Sequence, residues 1–403
     1  MTILRGLVLV ATFALAPGSA RAQTPSTILL RGDRLAESKR RLAAGDAAMK
    51  ESVAILIDSA RSALDATPVS VMEKRHVPPS GNKHDFMSMA PYWWPDSTKP
   101  GGLPFVRHDG LVYPESRVDH DGMRLQKMIN RVEALAFAYY FTGDERYAGA
   151  GVRHLRVFFL DTATRMNPNL EYAQAVLGIN TGRGTGIIDT EMLPRVLDAI
   201  RLLEASSSLT GDDRRGLTAW SRDYLKWLRE SANGKDEQAA KNNHGTFYDE
   251  QVVSLALFVG DTAFARDVIT HSVIERIATQ IQPDGRLPLE IARTRPLHYS
   301  VFDLDAFTML AELSRHVGVD LWHYASPTGG SIAKALQFVA PYADPSVKFP
   351  FSAVREEGND VFLRPFMRAS AVLGDPVFAR VLEQVSRTAR QRDFSRFGFP
   401  GII

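Results

Sequence analysis

Apolar residues recur at helical spacing from one end of this 403-residue chain to the other. The pattern predicts helices over Leu35–Met49, Val53–Leu64, Met123–Phe141, Glu145–Leu160, Thr190–Ala205, Arg214–Ser231, Glu250–Phe258, Thr262–Gln280, Ser300–Val317, Ser331–Val339, Asp360–Ala371 and Asp375–Arg390. Gly, Pro, Asp or Asn bounds most of them, as helix ends require. Alternating strand patterns are scarce. Consecutive helices joined by short turns pack as antiparallel hairpins. The expected fold is therefore all-α, an α/α toroid: an incomplete barrel of antiparallel helical hairpins. An open α-solenoid would share this pattern, but no repeat of fixed length is visible. No low-complexity linker divides the chain, so residues 23–403 read as one large domain.

Residues 1–22 have the form of an export signal. Arg5 precedes the apolar run Leu7–Ala16, and Ala20-Arg21-Ala22 is a small-x-small cleavage pattern. A mature start at Gln23 and a periplasmic or secreted protein are expected. No later stretch approaches the roughly 20 apolar residues of a membrane span. The chain has no cysteine, which excludes disulfides and thiol chemistry. Lys and Arg number 48 against 46 Asp and Glu, and removing Arg5 and Arg21 makes the two equal. A polyanion would then have to be held by positive charge concentrated in a cleft rather than by net charge. No basic run or module points to nucleic acid. The ten histidines show no metal-ligand spacing, so no metal or cofactor is expected.

Two stretches interrupt the helices, Val77–Pro114 and Ala163–Asp189, and long loops in a compact domain are commonly functional. The first holds Lys83, His84, Tyr92, Trp93 and Trp94, which offer charge and flat faces for sugar rings or, alternatively, a hydrophobic plug for one end of the ring. The second holds Gly182-Arg183-Gly184-Thr185-Gly186; it lacks the Lys-Ser/Thr of a phosphate loop, and Arg183 is a candidate ligand for a carboxylate. Two further segments carry the chemistry. Asn242-Asn243-His244-Gly245 is expected at a bend just before a helix starting near Asp249, where amides face an anion. Arg293, Arg295, His298 and Tyr299 follow about fifty residues later, around Pro296. An amide, an imidazole, a guanidinium and a phenol suit proton abstraction beside a carboxylate. In a 4-linked uronate, donors such as Asn243 and Arg293 stabilise the enolate-like state, a base removes the C5 proton, and an acid protonates O4. Tyr299 could serve as both where proton and O4 share a face, as in mannuronate. In guluronate they are opposed, and His244 becomes the base. A tyrosine base needs its pKa lowered by nearby positive charge.

These segments, with Asn82-Lys83-His84-Asp85-Phe86-Met87-Ser88 and Pro91-Tyr92-Trp93-Trp94-Pro95, resemble the alginate lyase superfamily, most closely polysaccharide lyase family 38, from about Val77 onward. The resemblance implies an α/α toroid that eliminates alginate or glucuronan without a metal, with Asn243, His244, Arg293 and Tyr299 catalytic. It leaves either Arg293 or Arg295 to face the carboxylate and makes His298 a lesser candidate base. Two other readings compete. A glycoside hydrolase on the same fold would use paired carboxylates, for which Asp189 and Glu191 are candidates. A non-catalytic periplasmic sugar-binding protein would use only the aromatic loop.

Overall fold

Capping chemistry sets where the helices begin and end. The computed structural model describes residues 24–354 and 358–402, so the expected export signal lies outside the described residues. Helix α1 spans Gly32–Ala43 and α2 Ala47–Leu64, the latter capped by Asp46. Helix α3 (Asp121–Thr142) ends on Gly143 at φ 71°, and Asp144 caps α4 (Glu145–Leu155). After α5 (Leu193–Leu203), Thr210 and Asp213 form a reciprocal capping box at the start of α6 (Gly211–Glu230). There follow α7 (Ala232–Ala239), α8 (Asn243–Val259), α9 (Thr262–Val268), α10 (Ile274–Gln280), α11 (Pro288–Ile291), α12 (Pro296–Leu313), α13 (Ile332–Val339), α14 (Leu363–Leu373), α15 (Pro376–Gln384) and α16 (Arg387–Arg392).

Helices α3, α5, α8, α12 and α14 neighbour one another in that order, and α2, α4, α6, α9, α13 and α15 pack outside them. This is the α/α toroid expected from the periodicity. Helices α8 and α12 are buried on almost every side, as inner elements must be. Phe247 of α8 meets Phe302 of α12 with ring centres 4.4 Å apart. Among the described residues, short strands occur only in the loops: β1 (Met87–Met89) pairs in parallel with a strand at Tyr172–Ala175, while β2 (Trp93–Trp94) pairs antiparallel with β3 (Val106–Arg107). The strand at Tyr172–Ala175 is β4.

The start of the described chain closes one end of the ring. The amides of Ile28, Leu29 and Leu30 donate to the Asp198 carboxylate of α5 at 2.5, 3.1 and 2.8 Å. Arg315 donates to the carbonyls of Ile28 and Leu30, and His316 lies 2.6 Å from that of Ile28. Burial pushes the Asp198 carboxyl up to about 6, against the pull of those amides.

Several spans differ from expectation: α1 and α2 part at residues 44–46, inside the expected Leu35–Met49 helix, and α15 and α16 part inside the expected Asp375–Arg390 helix. Three further differences bear on the site. Helix α8 begins at Asn243, several residues earlier than predicted, because Asn242 takes the extended conformation of an N-cap. Helix α12 begins at Pro296, since proline fits the first helical position, where no amide is needed. Helix α7 was not expected at all; its Asn-Gly-Lys-Asp sequence is a poor helix former, held by the Ser231 cap and packing against α6 and α8.

The first loop is anchored to α3 by a buried ion pair. Lys74 Nζ lies 2.7 Å from Asp121 Oδ2, with side chains 2% and 0% exposed, and also donates to the carbonyls of Val71 and Lys83. Asp121 accepts in addition from the Met87 amide. Removing one partner strands a charge, so Lys74→Met should cost about 3–5 kcal/mol, and Lys74→Met with Asp121→Leu should cost less than Lys74→Met alone. Guanidinium unfolding of the three proteins checks this ordering.

Candidate active site

Asn243 opens α8, and both its donors point to one carboxylate. Its backbone amide lies 2.7 Å from Glu290 Oε1 and its Nδ2 2.8 Å from Glu290 Oε2. The anion at this helix start is therefore Glu290 of α11. Burial raises the Glu290 pKa, and the Asn243 bonds only partly offset it. His244 follows, partly exposed, with Nδ1 2.7 Å from Oε1 of Glu237 on α7. An ionised Glu237 can only accept, which assigns a proton to Nδ1 and leaves the Nε2 lone pair available when the ring is neutral.

The second segment forms the turn into α12. Arg293 grips Asp109 through Nε and Nη2 at 3.1 and 2.8 Å, and the Thr294 hydroxyl donates to the same carboxylate at 3.0 Å. Burial pushes Asp109 upward, but these bonds, the Arg293 charge and Arg107 outweigh it and hold the carboxyl below the usual range. Gly110 permits this close approach: at φ 76°, a Cβ there would stand 2.6 Å from Thr294 Oγ1. The Arg293 guanidinium lies over the Tyr299 ring, 3.7 Å from its centre. The Tyr299 hydroxyl donates to the Tyr92 hydroxyl at 2.9 Å, so the phenol points to the aromatic loop. Burial raises the Tyr299 pKa and Tyr92 adds to the rise; the Arg293 cation opposes both without prevailing. Positive charge does sit beside the tyrosine, yet the phenol is held protonated.

The two segments share one neighbourhood. Glu290, bound to Asn243, feels the charges of both Arg293 and His244. Arg295 is buried, its Cδ 3.4 Å from where a Gly110 Cβ would stand. His298 stacks on Phe302 and lines a cavity of about 910 Å³ with Arg195, Asp305 and Arg364.

The loops contribute unequally. His84 Nδ1 lies 2.6 Å from the Arg165 carbonyl, and the Lys83 carbonyl is taken by Lys74. Trp94 is fixed by its Nε1 bond to the Leu111 carbonyl and by the Tyr113 ring. Trp93 lies beside Arg183, whose Cζ is 6.0 Å from a ring centre. Arg183 donates to the backbone and side-chain oxygens of Gln174. Gln174 sits at φ 48°, a conformation costing a residue with a side chain about 1–2 kcal/mol. Its amide nitrogen is held by Ser88 Oγ, and its Nε2 donates to Asp189. Asp189 also accepts from Ser88. Both its oxygens are thus committed to the loop scaffold, away from the role a hydrolase acid or base requires. Burial raises the Glu191 pKa to about 7.

A family model described as alginate lyase matches residues 70–349. The chain belongs to the alginate lyase family. Membership places it among enzymes, as a polysaccharide lyase. Among solved structures similar to this family member, an alginate lyase from Bacteroides ovatus is 36% identical with a TM-score of 0.88, covering 93% of this chain and 99% of that one. Alginate lyase A1-III from Sphingomonas species A1 shares the fold at 16% identity and a TM-score of 0.56, over 88% and 90% of the two chains. The same enzyme has also been solved with a tetrasaccharide. A Stenotrophomonas maltophilia polysaccharide lyase is 35% identical over 106 residues, a stretch spanning 25% of this chain and 31% of that relative.

Glu290, Glu237, Asp109 and Gln174 were not among the expected site residues. The Asp109-Gly110 turn was legible as a tight loop; nothing local marks Glu237 as the partner of His244.

The folded state holds Asp109 deprotonated to lower pH than the unfolded chain does. Its contribution to stability should therefore be complete above the ordinary aspartate pKa of about 4 and fade as pH falls below it. Urea midpoints of wild type and Asp109→Asn, measured from neutral pH downward, should differ most at neutral pH and converge in acid.

Proposed function

We propose that this chain cleaves a 4-linked polyuronate, alginate or glucuronan, by β-elimination carried out by its own side chains. The observation carrying this reading is that Glu290, bonded to Asn243, feels the charges of both His244, tied to Glu237, and Arg293, whose guanidinium covers the Tyr299 ring. The phenol is a ready acid and the imidazole a ready base. His244 Nε2 takes the C5 proton, the C4–O4 bond breaks as the C4–C5 double bond forms, and Tyr299 passes its proton to O4. Transfer from His244 to Tyr299 through solvent restores both. The remaining Asn243 amide N–H and the Arg293 Nη1, which Asp109 does not use, face the carboxylate whose charge spreads into the enolate.

One observation favours a second assignment. The Tyr299–Tyr92 hydrogen bond gives the phenolic proton a route out of the site. Tyr299 could then act as base and acid in turn on mannuronate or glucuronate, where C5 proton and O4 share a face. The family membership and the Bacteroides ovatus relative support the lyase class under both assignments. The relative solved with a tetrasaccharide supports an oligosaccharide as ligand. We also read residues 1–22 as an export signal placing the enzyme in the periplasm or outside the cell; sequencing of the mature protein should begin at Gln23.

Incubation with polymannuronate, polyguluronate and glucuronan should raise absorbance at about 235 nm as the unsaturated product accumulates. Tyr299→Phe should lower kcat by about 10²–10⁴-fold with folding intact. His244→Ala should cost as much on polyguluronate and less on polymannuronate if Tyr299 serves as base there. Saturated products would overturn elimination, and full activity of Tyr299→Phe would remove it from the reaction.

A further inference from the structure

Arg183 is built into the loop layer in a way its fold role does not explain. Its Nε and Nη2 donate to the Gln174 backbone oxygen at 3.1 Å and side-chain oxygen at 2.9 Å, both neutral acceptors. No carboxylate lies within ion-pair distance among the described residues, so the guanidinium charge is not cancelled by a direct partner. Burial lowers its pKa and nearby Arg107 lowers it further, whereas Asp189 and Glu237 act more weakly from a distance. A half-buried cation held by neutral groups is poised for an anion from outside.

The surroundings fix where that anion would lie. Arg183 stands beside Trp93, and Arg107 is the cross-strand partner of Trp93 in the β2–β3 ribbon. Tyr92, next in the chain, contacts Tyr299. On its other side the arginine loop packs against α7, where a Cβ on Gly184 would stand 2.5 Å from Asp236 Oδ2. Helix α7 carries Glu237, the partner of His244. Arg183 therefore lies between the aromatic loop that meets Tyr299 and the helix that orients His244. The strained backbone of Gln174, pinned by Ser88 and Asp189, is the device that aims it.

We propose that Arg183 binds the carboxylate of a second uronate, adjacent to the one cleaved, with Trp93 stacking on that sugar and Gln174 acting as a positioning residue. The site selects polymers in which successive sugars are both acidic. This rests on the polyuronate reading above, and the test separates the two.

Binding of a mannuronate tetrasaccharide is measured by calorimetry in the Tyr299→Phe background, and KM and kcat are measured with Tyr299 present. Arg183→Gln should raise both Kd and KM by about tenfold, as loss of one charge-assisted contact implies, with kcat changed less than about threefold. Arg183→Lys, which keeps the charge but loses the fork, should fall between. Gln174→Ala should reproduce part of the KM effect, and raised salt should narrow the gap between wild type and Arg183→Gln. If Arg183→Gln does not fold, the Arg183→Lys Kd decides, with an unchanged value overturning the subsite. Unchanged Kd and KM in folded Arg183→Gln overturn it equally. Tetrasaccharide binding that needs Arg183, without unsaturated product from wild type on any polyuronate, would sink the elimination reading and leave the subsite standing.

Discussion

One carboxylate sets the relation between the two halves of the candidate site. Glu290 sits on the short helix before α12 yet accepts both donors of Asn243, the first residue of α8. That double contact ties the starts of two inner helices together, and Phe247 against Phe302 continues the tie one turn further in. Asn243 and His244 are thereby held near Arg293 and Tyr299, although fifty residues of chain separate them. Buried in the ring with its amide and side-chain partners, Glu290 is far harder to replace than a surface ion pair, because its removal leaves two buried donors unmet.

A second layer of contacts lets the loops take part. The ring supplies rigid helix starts; the loops supply Tyr92, Trp93, Asp109 and Arg183. Three of them are fastened by different kinds of bond: Tyr92 to a phenol, Asp109 to a guanidinium fork, Arg183 to a glutamine in a left-handed conformation. The loop segment itself is moored to α3 by Lys74 and Asp121. Functional groups on loops are placed well only when the loops are tied down this way.

The architecture was legible because it depends on period and punctuation, which are local. The ring, its hairpin logic and most helix spans can be read from apolar spacing and from residues such as Gly143, Asp144 and Thr210. The helix starts at the site were misplaced because Asn242 and Pro296 read as breaks, when they are a cap and a first helical residue. Helix α7 escaped because packing overrides its composition. Of the site, Asn243, His244, Arg293 and Tyr299 stood out by residue type, but their partners did not. Glu290 lies only three residues before Arg293, yet it serves Asn243, and Arg293 turns to Asp109, far earlier in the chain. Which carboxylate reaches which donor is a matter of tertiary geometry that residue spacing does not encode.

Ring closure has a consequence for the order of assembly. Ile28 is joined to Arg315 across 287 positions and to Asp198 across 170. During synthesis or transport the amide of Ile28 can meet Asp198 first, but its carbonyl must wait until the segment after α12 has arrived. The hairpins can form early from neighbours, whereas sealing of the toroid is among the last events and carries the loop-closure entropy of most of the chain. A ribosome-stalled or prematurely terminated product lacking Arg315 and His316 would thus carry well-formed helices around an unsealed end, with the apolar side chains of Ile28, Leu29 and Leu30 left for a chaperone to hold.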